Sequence, residues 1–118
     1  MIDIVEKGWG REFILVNNEK YCFKRLVFDL EGATTSMHFH ALKDETFFVE
    51  RGSFKLELVN TKNGLVYSVP LEEGEHMRIE PLLPHRLVAL QDDSVMMEVS
   101  THDDPSDSYR VSPGDSQK

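Results

Sequence analysis

The sequence predicts a single all-β domain, folded as a sandwich or a barrel. Short stretches of alternating apolar and polar residues recur at intervals of roughly 8–12 residues, separated by turns rich in glycine and polar residues. No stretch repeats its apolar residues with the period of a helix. The 118 residues suffice for one modest core. We expect the domain to cover residues 1–111, and residues 112–118, which lose apolar content, to form a flexible tail.

The alternation places about ten short strands along the chain. The dipeptide Asn63-Gly64 predicts a hairpin with a primed turn, because both residues tolerate a positive φ. In the segment 95–100, alternation does not decide whether Glu98 or its apolar neighbours Met97 and Val99 face inward. The clearest strands are expected at residues 12–17, 21–30, 34–40, 45–50, 54–59, 65–71, 75–81, 85–90 and 95–100.

Composition excludes several classes of function. A net charge of −8 argues against binding nucleic acid through its phosphates. No apolar run approaches the ~20 residues of a membrane-spanning helix, and the N-terminus has no apolar signal region, so we expect a cytoplasmic protein without membrane contact. The lone Cys22 suits a reducing compartment and is expected as a small buried strand residue. Trp9 is expected to cover one end of the core, the alternative being that Trp9 or Arg11 lines a ligand mouth.

Four residues with metal-binding side chains form the most informative pattern. In a strand, His38 and His40 point to the same side, roughly 7 Å apart along the chain. Glu45 follows a short turn, and a hairpin there would bring its carboxylate beside the two imidazoles. A further histidine, His85, lies downstream in the segment PLLPHRLVA. Imidazole and carboxylate groups bind divalent metals at about 2.0–2.2 Å, so these residues are candidate ligands of one ion.

The pattern resembles the cupin family. Gly32, His38, His40, Glu45 and Gly52 match the first cupin motif, G-x5-H-x-H-x3,4-E-x6-G, without a gap. The second motif, G-x5-P-x-G-x2-H-x3-N, is met only in part, by His85 at the end of the proline-containing segment Pro81–His85. The resemblance implies a double-stranded β-helix, or jelly-roll barrel, that binds a divalent metal inside it through His38, His40, Glu45 and His85. Manganese is favoured among Mn, Zn, Fe and Ni.

A finer resemblance points to sugar chemistry. The segment from His38 to Glu45 is similar to the metal motif of D-lyxose isomerase cupins, in which the lysine matching Lys43 is implicated in proton transfer. Mannose-6-phosphate isomerase cupins share part of this pattern. Aldose–ketose isomerisation needs a divalent ion and a base, and a nearby cation with desolvation would lower the pKa of Lys43 enough for that role. Glu98 is the second catalytic candidate, and a solvated surface position is the alternative for both residues.

The substrate contacts and the function have alternatives. Arg86, Arg110 and Tyr109 are candidates for binding a sugar-like small molecule, although either arginine could form surface ion pairs instead. His76 and His102 fit no ligand position. A cupin-type metal-dependent oxygenase and a binding protein without catalysis compete with the isomerase. The resemblance also implies a homodimer formed through edge strands.

Overall fold

The computed structural model describes residues 2–118, which form eleven strands and one 3-10 helix. Within this described part, no helix is long and apolar enough to cross a membrane. The strands are β1 (Asp3–Lys7), β2 (Gly10–Asn17), β3 (Cys22–Phe28), β4 (Met37–Phe39), β5 (Glu45–Arg51), β6 (Ser53–Val59), β7 (Val66–Glu72), β8 (His76–Ile79), β9 (His85–Ala89), β10 (Ser94–Ser100) and β11 (Tyr109–Ser112), and the 3-10 helix spans Asp115–Gln117.

The strands form two antiparallel sheets, which confirms the predicted all-β class. One sheet has the order β1-β2-β3-β10-β5-β8, and the other has the order β11-β4-β9-β6-β7. Apolar side chains from both sheets make one continuous core. Trp9 stacks on Phe28 at 4.4 Å between ring centroids, and Phe28 meets Phe54 of the other sheet edge-on at 5.1 Å. Trp9 therefore covers one end of the core, as predicted.

Strand alternation decides which side chains face the interior. In β3, Cys22, Lys24, Leu26 and Phe28 are buried, while the residues between them are partly exposed. The interior face of β10 includes Glu98, which is 6% exposed. Its neighbours Met96 and Ser100 are buried as well, whereas Val99 is half exposed. The open question about β10 is therefore settled in favour of an inward Glu98.

The sequence analysis did not predict two of the outer strands. β1 and β11 lie at sheet edges, each paired with one neighbour, and their side chains are almost all exposed. Backbone pairing alone defines such strands, so no apolar alternation marks them. The hairpin between β6 and β7 forms as predicted, with Val59 opposite Val66. Its turn differs from the predicted type, because Gly64 has a positive φ of 75° and Asn63 does not.

The connection between β4 and β5 corrects a second expectation. A hairpin was predicted there, but β4 and β5 belong to different sheets, so residues 40–44 cross from one sheet to the other. The C-terminal residues, predicted as a flexible tail, make hydrogen bonds with the rest of the domain. Asp115 exchanges two hydrogen bonds with Thr34, at 3.0 and 2.9 Å, and Ser116 accepts one from the backbone of Gly8 at 3.1 Å. The polar composition of residues 112–118 does not predict these contacts.

Candidate metal centre

Three histidine side chains converge between the sheets. His38 on β4 lies directly opposite His85 on β9, and His40 follows β4 on the same side. One ring nitrogen of each residue lies within 4.8 Å of the others. His85 is 2% exposed and His40 is 7% exposed, so water has little access to these rings. The spacing of the two motif histidines and the pairing of β4 with β9 together produce this cluster.

Each ring is oriented by a hydrogen bond from its outer nitrogen. Nδ1 lies 2.9 Å from the Ser36 carbonyl in His38, 2.6 Å from the Asp107 carbonyl in His40, and 2.9 Å from the Leu83 carbonyl in His85. A carbonyl oxygen only accepts, so in each neutral ring Nδ1 carries the proton. The Nε2 lone pairs are then free to bind a cation, an arrangement typical of metal-binding histidines.

Glu45, the first residue of β5, completes the centre from the opposite sheet. Its Oε2 lies 3.3 Å from Nε2 of His40, and its Oε1 lies 3.6 Å from Nε2 of His85. Among the described residues, Glu45 Oε2 and His85 Nε2 are the buried side-chain atoms without a hydrogen-bond partner. Burying unpaired acceptors is costly unless something binds them. The donor set of imidazole nitrogens and a carboxylate therefore fits a divalent metal ion.

The protonation states of the three histidines and of Glu45 suit the binding of a metal ion. Burial lowers the pKa of His38 and of His85 to about 4, and it also lowers the pKa of His40. All three rings are thus neutral near pH 7, as metal ligands must be. Burial, together with the charge on Glu98, raises the pKa of Glu45 well above its ordinary value. A cation at the centre would stabilise the ionised form of Glu45 that binding requires.

A network of buried ion pairs borders the histidines. The Lys43 ammonium lies 3.1 Å from Glu98 Oε2, 3.0 Å from Asp103 Oδ1 and 3.9 Å from Glu45 Oε2. Asp103 also pairs with Lys24 at 2.8 Å. Lys43 is 4% exposed, so the alternatives of a solvated Lys43 and a surface Glu98 are both wrong.

The environment of Lys43 corrects the expected direction of its pKa. Burial alone would lower that pKa, but the carboxylates of Glu98, Glu45 and Asp103 outweigh burial and raise it. Burial alone would likewise raise the pKa of Glu98, but Lys43 and Lys24 bring it below its ordinary value. Lys43 is therefore an ammonium and Glu98 a carboxylate at neutral pH.

The buried network has an excess of negative charge. Its carboxylates belong to Glu12, Glu45, Glu98 and Asp103, and its buried ammonium groups belong to Lys24 and Lys43. With all four carboxylates ionised, two negative charges remain unbalanced, apart from a contact of Glu12 with the partly exposed Lys7 at 3.8 Å. One divalent cation among the histidines would balance this charge.

The three histidines line a cavity of about 450 Å³. Arg110 lies beside it on β11, directly opposite His38, and makes no ion pair among the described residues. Arg86 and Tyr109, the other two predicted substrate contacts, do not line the cavity. Both alternate with inward residues on their strands. Arg86 instead pairs with Glu57 at 2.8 Å, and Tyr109 stacks on Phe39 at 5.1 Å.

The remaining histidines stay outside the centre, as expected. His76 is exposed, and His102 bonds to the Asn18 carbonyl at 2.8 Å. Sequence reasoning missed Lys24, although a lysine on the apolar face of β3 was a usable signal. It also missed Asp103 and the buried Asp107, which lie in a polar loop where no local pattern distinguishes them.

Comparison with known proteins shows the fold. No protein-family model and no curated protein matches the sequence. Solved structures do match. CapF, a capsular polysaccharide assembling protein from Staphylococcus aureus, is 16% identical with a TM-score of 0.81 over 95% of this chain and 33% of its own. KdgF from Halomonas sp. is 22% identical with a TM-score of 0.74 over 88% of this chain and 89% of its own. Oxalate decarboxylase from Bacillus subtilis is 19% identical with a TM-score of 0.79 over 93% of this chain and 30% of its own.

This chain therefore spans about a third of the length of CapF and of oxalate decarboxylase. At these identities the likeness concerns the fold. The two sheets and these structural neighbours agree with the resemblance found in the sequence. The chain therefore has the cupin-type fold, a jelly-roll β-barrel, with a candidate metal centre between its sheets.

Proposed function

We propose that this protein is a metal-dependent isomerase that interconverts an aldose and a ketose, either as the sugar or as the sugar phosphate. The observation that carries the proposal is the ion pair between Lys43 and Glu98, 3.1 Å long, which lies beside the histidine centre and lines the same cavity. An acid and a base side by side at a cation site are what isomerisation requires. Neither a purely structural barrel nor simple metal storage needs such a buried pair.

The cation would be held by His38, His40, His85 and Glu45, and we expect manganese. When bound, it would polarise the carbonyl oxygen and the adjacent hydroxyl oxygen of the sugar and so acidify the hydrogen on the hydroxyl-bearing carbon. This role depends on the neutral imidazoles and on the absence of competing hydrogen bonds at Glu45 Oε2 and His85 Nε2.

In this proposal Glu98 and Lys43 move the proton. Glu98 keeps its carboxylate because Lys43 and Lys24 stabilise the charge, so it accepts the proton from one sugar carbon and returns it to the next. Lys43 remains an ammonium because carboxylates surround it, so it donates hydrogen bonds to the sugar oxygen on which charge develops. Asp103 holds the ammonium in place from the other side at 3.0 Å.

We assign substrate binding to cavity residues other than the metal ligands and the Lys43–Glu98 pair. Arg110 would bind a phosphate or a hydroxyl group, because its guanidinium has no carboxylate partner among the described residues. Trp9, Leu26 and Phe47 form apolar parts of the wall, against which the carbon face of a sugar can pack. CapF is named as a capsular polysaccharide assembling protein, which favours a carbohydrate ligand for this fold.

The test begins with metal analysis of the purified protein. Aldoses, ketoses and their phosphates are then screened with added Mn²⁺, with isomer formation read by NMR. Glu98→Gln should abolish turnover while metal is retained, and His76→Gln, an exposed change, should leave turnover intact. Turnover that is equal in Glu98→Gln and wild type would refute the proposed base.

Two outcomes would favour the competing functions. Oxygen consumption by the metal-loaded protein would indicate an oxygenase. Sugar binding without turnover of any isomer pair would indicate a binding protein. We further propose a homodimer that pairs through edge strands and a cytoplasmic location, to be tested by light scattering and by cell fractionation.

A further inference from the structure

Asp107 occupies a position that neither the metal centre nor the proton-transfer pair explains. It is 7% exposed, in the loop between β10 and β11. Its carboxylate accepts hydrogen bonds from three successive backbone N–H groups. Oδ1 lies 2.9 Å from the nitrogen of Ala41, Oδ2 lies 3.0 Å from that of Lys43, and the nitrogen of Leu42 is 3.2 Å from both oxygens.

The same residue also touches a candidate metal ligand. The backbone carbonyl of Asp107 accepts a hydrogen bond from Nδ1 of His40 at 2.6 Å. One residue thus sets the direction of the His40 ring through its carbonyl, and holds the chain that follows His40 through its carboxylate. Thr101, in the same loop, holds the next residue, Asp44, by two hydrogen bonds of 3.0 and 3.1 Å.

The anchored segment separates two ligands that lie in different sheets. His40 follows β4, and Glu45 begins β5 in the opposite sheet. Residues 41–44 have no sheet partner, so their conformation depends on the loop between β10 and β11. The distance of 3.3 Å between His40 Nε2 and Glu45 Oε2 therefore depends on how firmly this crossing segment is held.

We propose that Asp107 is a positioning residue for the cation site, fixing both the ring of His40 and the segment that sets its spacing from Glu45. The inference rests on the cation site of the proposed function and requires no turnover. If no sugar is isomerised, the isomerase proposal fails and this one is unaffected.

The test is the substitution Asp107→Asn with Co²⁺ as the probe. The amide has the size of the carboxylate, but its NH₂ group would face a backbone N–H donor, so at least one of the anchoring hydrogen bonds is lost. We expect the dissociation constant for Co²⁺ to rise about 10- to 100-fold, the usual effect of removing support from a metal ligand. The absorption bands of bound Co²⁺ should change as well, because the ligand geometry changes.

Two control variants separate positioning from general loss of stability. Asp92→Asn is matched to the test, because Asp92 also accepts a backbone N–H bond, from Glu31 at 2.8 Å, in a loop outside the cavity. Leu56 belongs to the core and does not line the cavity, so Leu56→Ala should lower stability without changing a residue of the centre. Both should retain the wild-type Co²⁺ spectrum. Wild-type affinity and spectrum in folded Asp107→Asn would overturn the inference.

A measurement on the wild type keeps the inference testable if Asp107→Asn does not fold. In the metal-free protein, ¹⁵N NMR should place the ring proton of His40 on Nδ1. Hydrogen exchange should show the amides of residues 41–43 protected. A proton on Nε2, or exchange as fast as in an exposed loop, would contradict the proposed role of Asp107.

Discussion

The buried imidazoles make a quantitative prediction about stability in the metal-free protein. His38 and His85 have an ordinary pKa of 6.5, which burial lowers to about 4 in the folded state. The unfolded chain therefore binds protons below pH 6.5, whereas the folded protein does so only near pH 4. Since protons then favour the unfolded state, the free energy of unfolding should fall as the pH drops through this window.

The magnitude follows from these values. Between pH 7.5 and pH 5.0, each of the two imidazoles should lower the free energy of unfolding by about 2 kcal/mol, or about 4 kcal/mol together. His40 acts in the same direction, since burial lowers its pKa too. Glu45 acts in the opposite direction, because its raised pKa lets the folded state take up a proton first. The figure of about 4 kcal/mol is therefore for the two imidazoles alone.

The assay is urea unfolding at both pH values in the presence of a chelator. His85→Gln should remove about half of the two-imidazole effect, and His76→Gln, an exposed change, should leave the pH dependence intact. Titration of the imidazole protons by NMR checks the cause directly. Equal stability at pH 7.5 and 5.0, with His85 titrating above pH 6, would refute the argument.

Three further predictions concern the core, the charge network and the cavity. Phe28→Ala, at a fully buried position, should lower the free energy of unfolding by about 3–5 kcal/mol in chemical denaturation; a loss below 1 kcal/mol would contradict the packing. Lys43→Met removes one of the two buried counter-charges, the one closest to Glu98, and should lower the free energy of unfolding by about 3–5 kcal/mol. Combining it with Glu98→Gln should restore part of that loss, and strict additivity of the two changes would refute their coupling. For a phosphorylated substrate, Arg110→Gln should raise KM by about tenfold or more, and Arg86→Gln should not; equal effects would refute the assignment.

The excess of buried carboxylates also predicts how the centre responds to removal of a metal. Without a cation, Glu45 is the carboxylate most readily protonated, because burial and Glu98 raise its pKa. Binding of a divalent ion near neutral pH should therefore release a proton, which calorimetry in buffers of different ionisation enthalpy would detect.

Local sequence patterns were enough for the central strands and for the candidate ligands. Strand alternation has a period of two residues, so Lys24, Leu26 and Phe28 could be placed on one face from the sequence alone. The same rule put His38 and His40 on one side. The cupin motif related Glu45 and His85 to the other two, whereas the hairpin expected to bring Glu45 beside the imidazoles does not form. The edge strands β1 and β11 lacked this signal, because their side chains face solvent.

Other features depended on contacts between distant parts of the chain. Whether Lys43 was solvated or buried was decided by Glu98 and Asp103, which lie 55 and 60 residues away. These carboxylates reversed the expected direction of its pKa. Arg86 and Arg110 looked equivalent in sequence, yet only Arg110 lies beside the cavity.

The sequence by itself thus determined the all-β class, which residues of the central strands share a face, and the four candidate metal ligands, because each follows from short-range geometry or from a motif of fixed spacing. Only the tertiary structure decided that Glu45 reaches the histidines by crossing between sheets, that Lys43 is held as an ammonium and that Asp107 anchors the crossing. These depend on which loops pack together when the sheets close. Such long-range contacts leave no periodic trace in a single sequence.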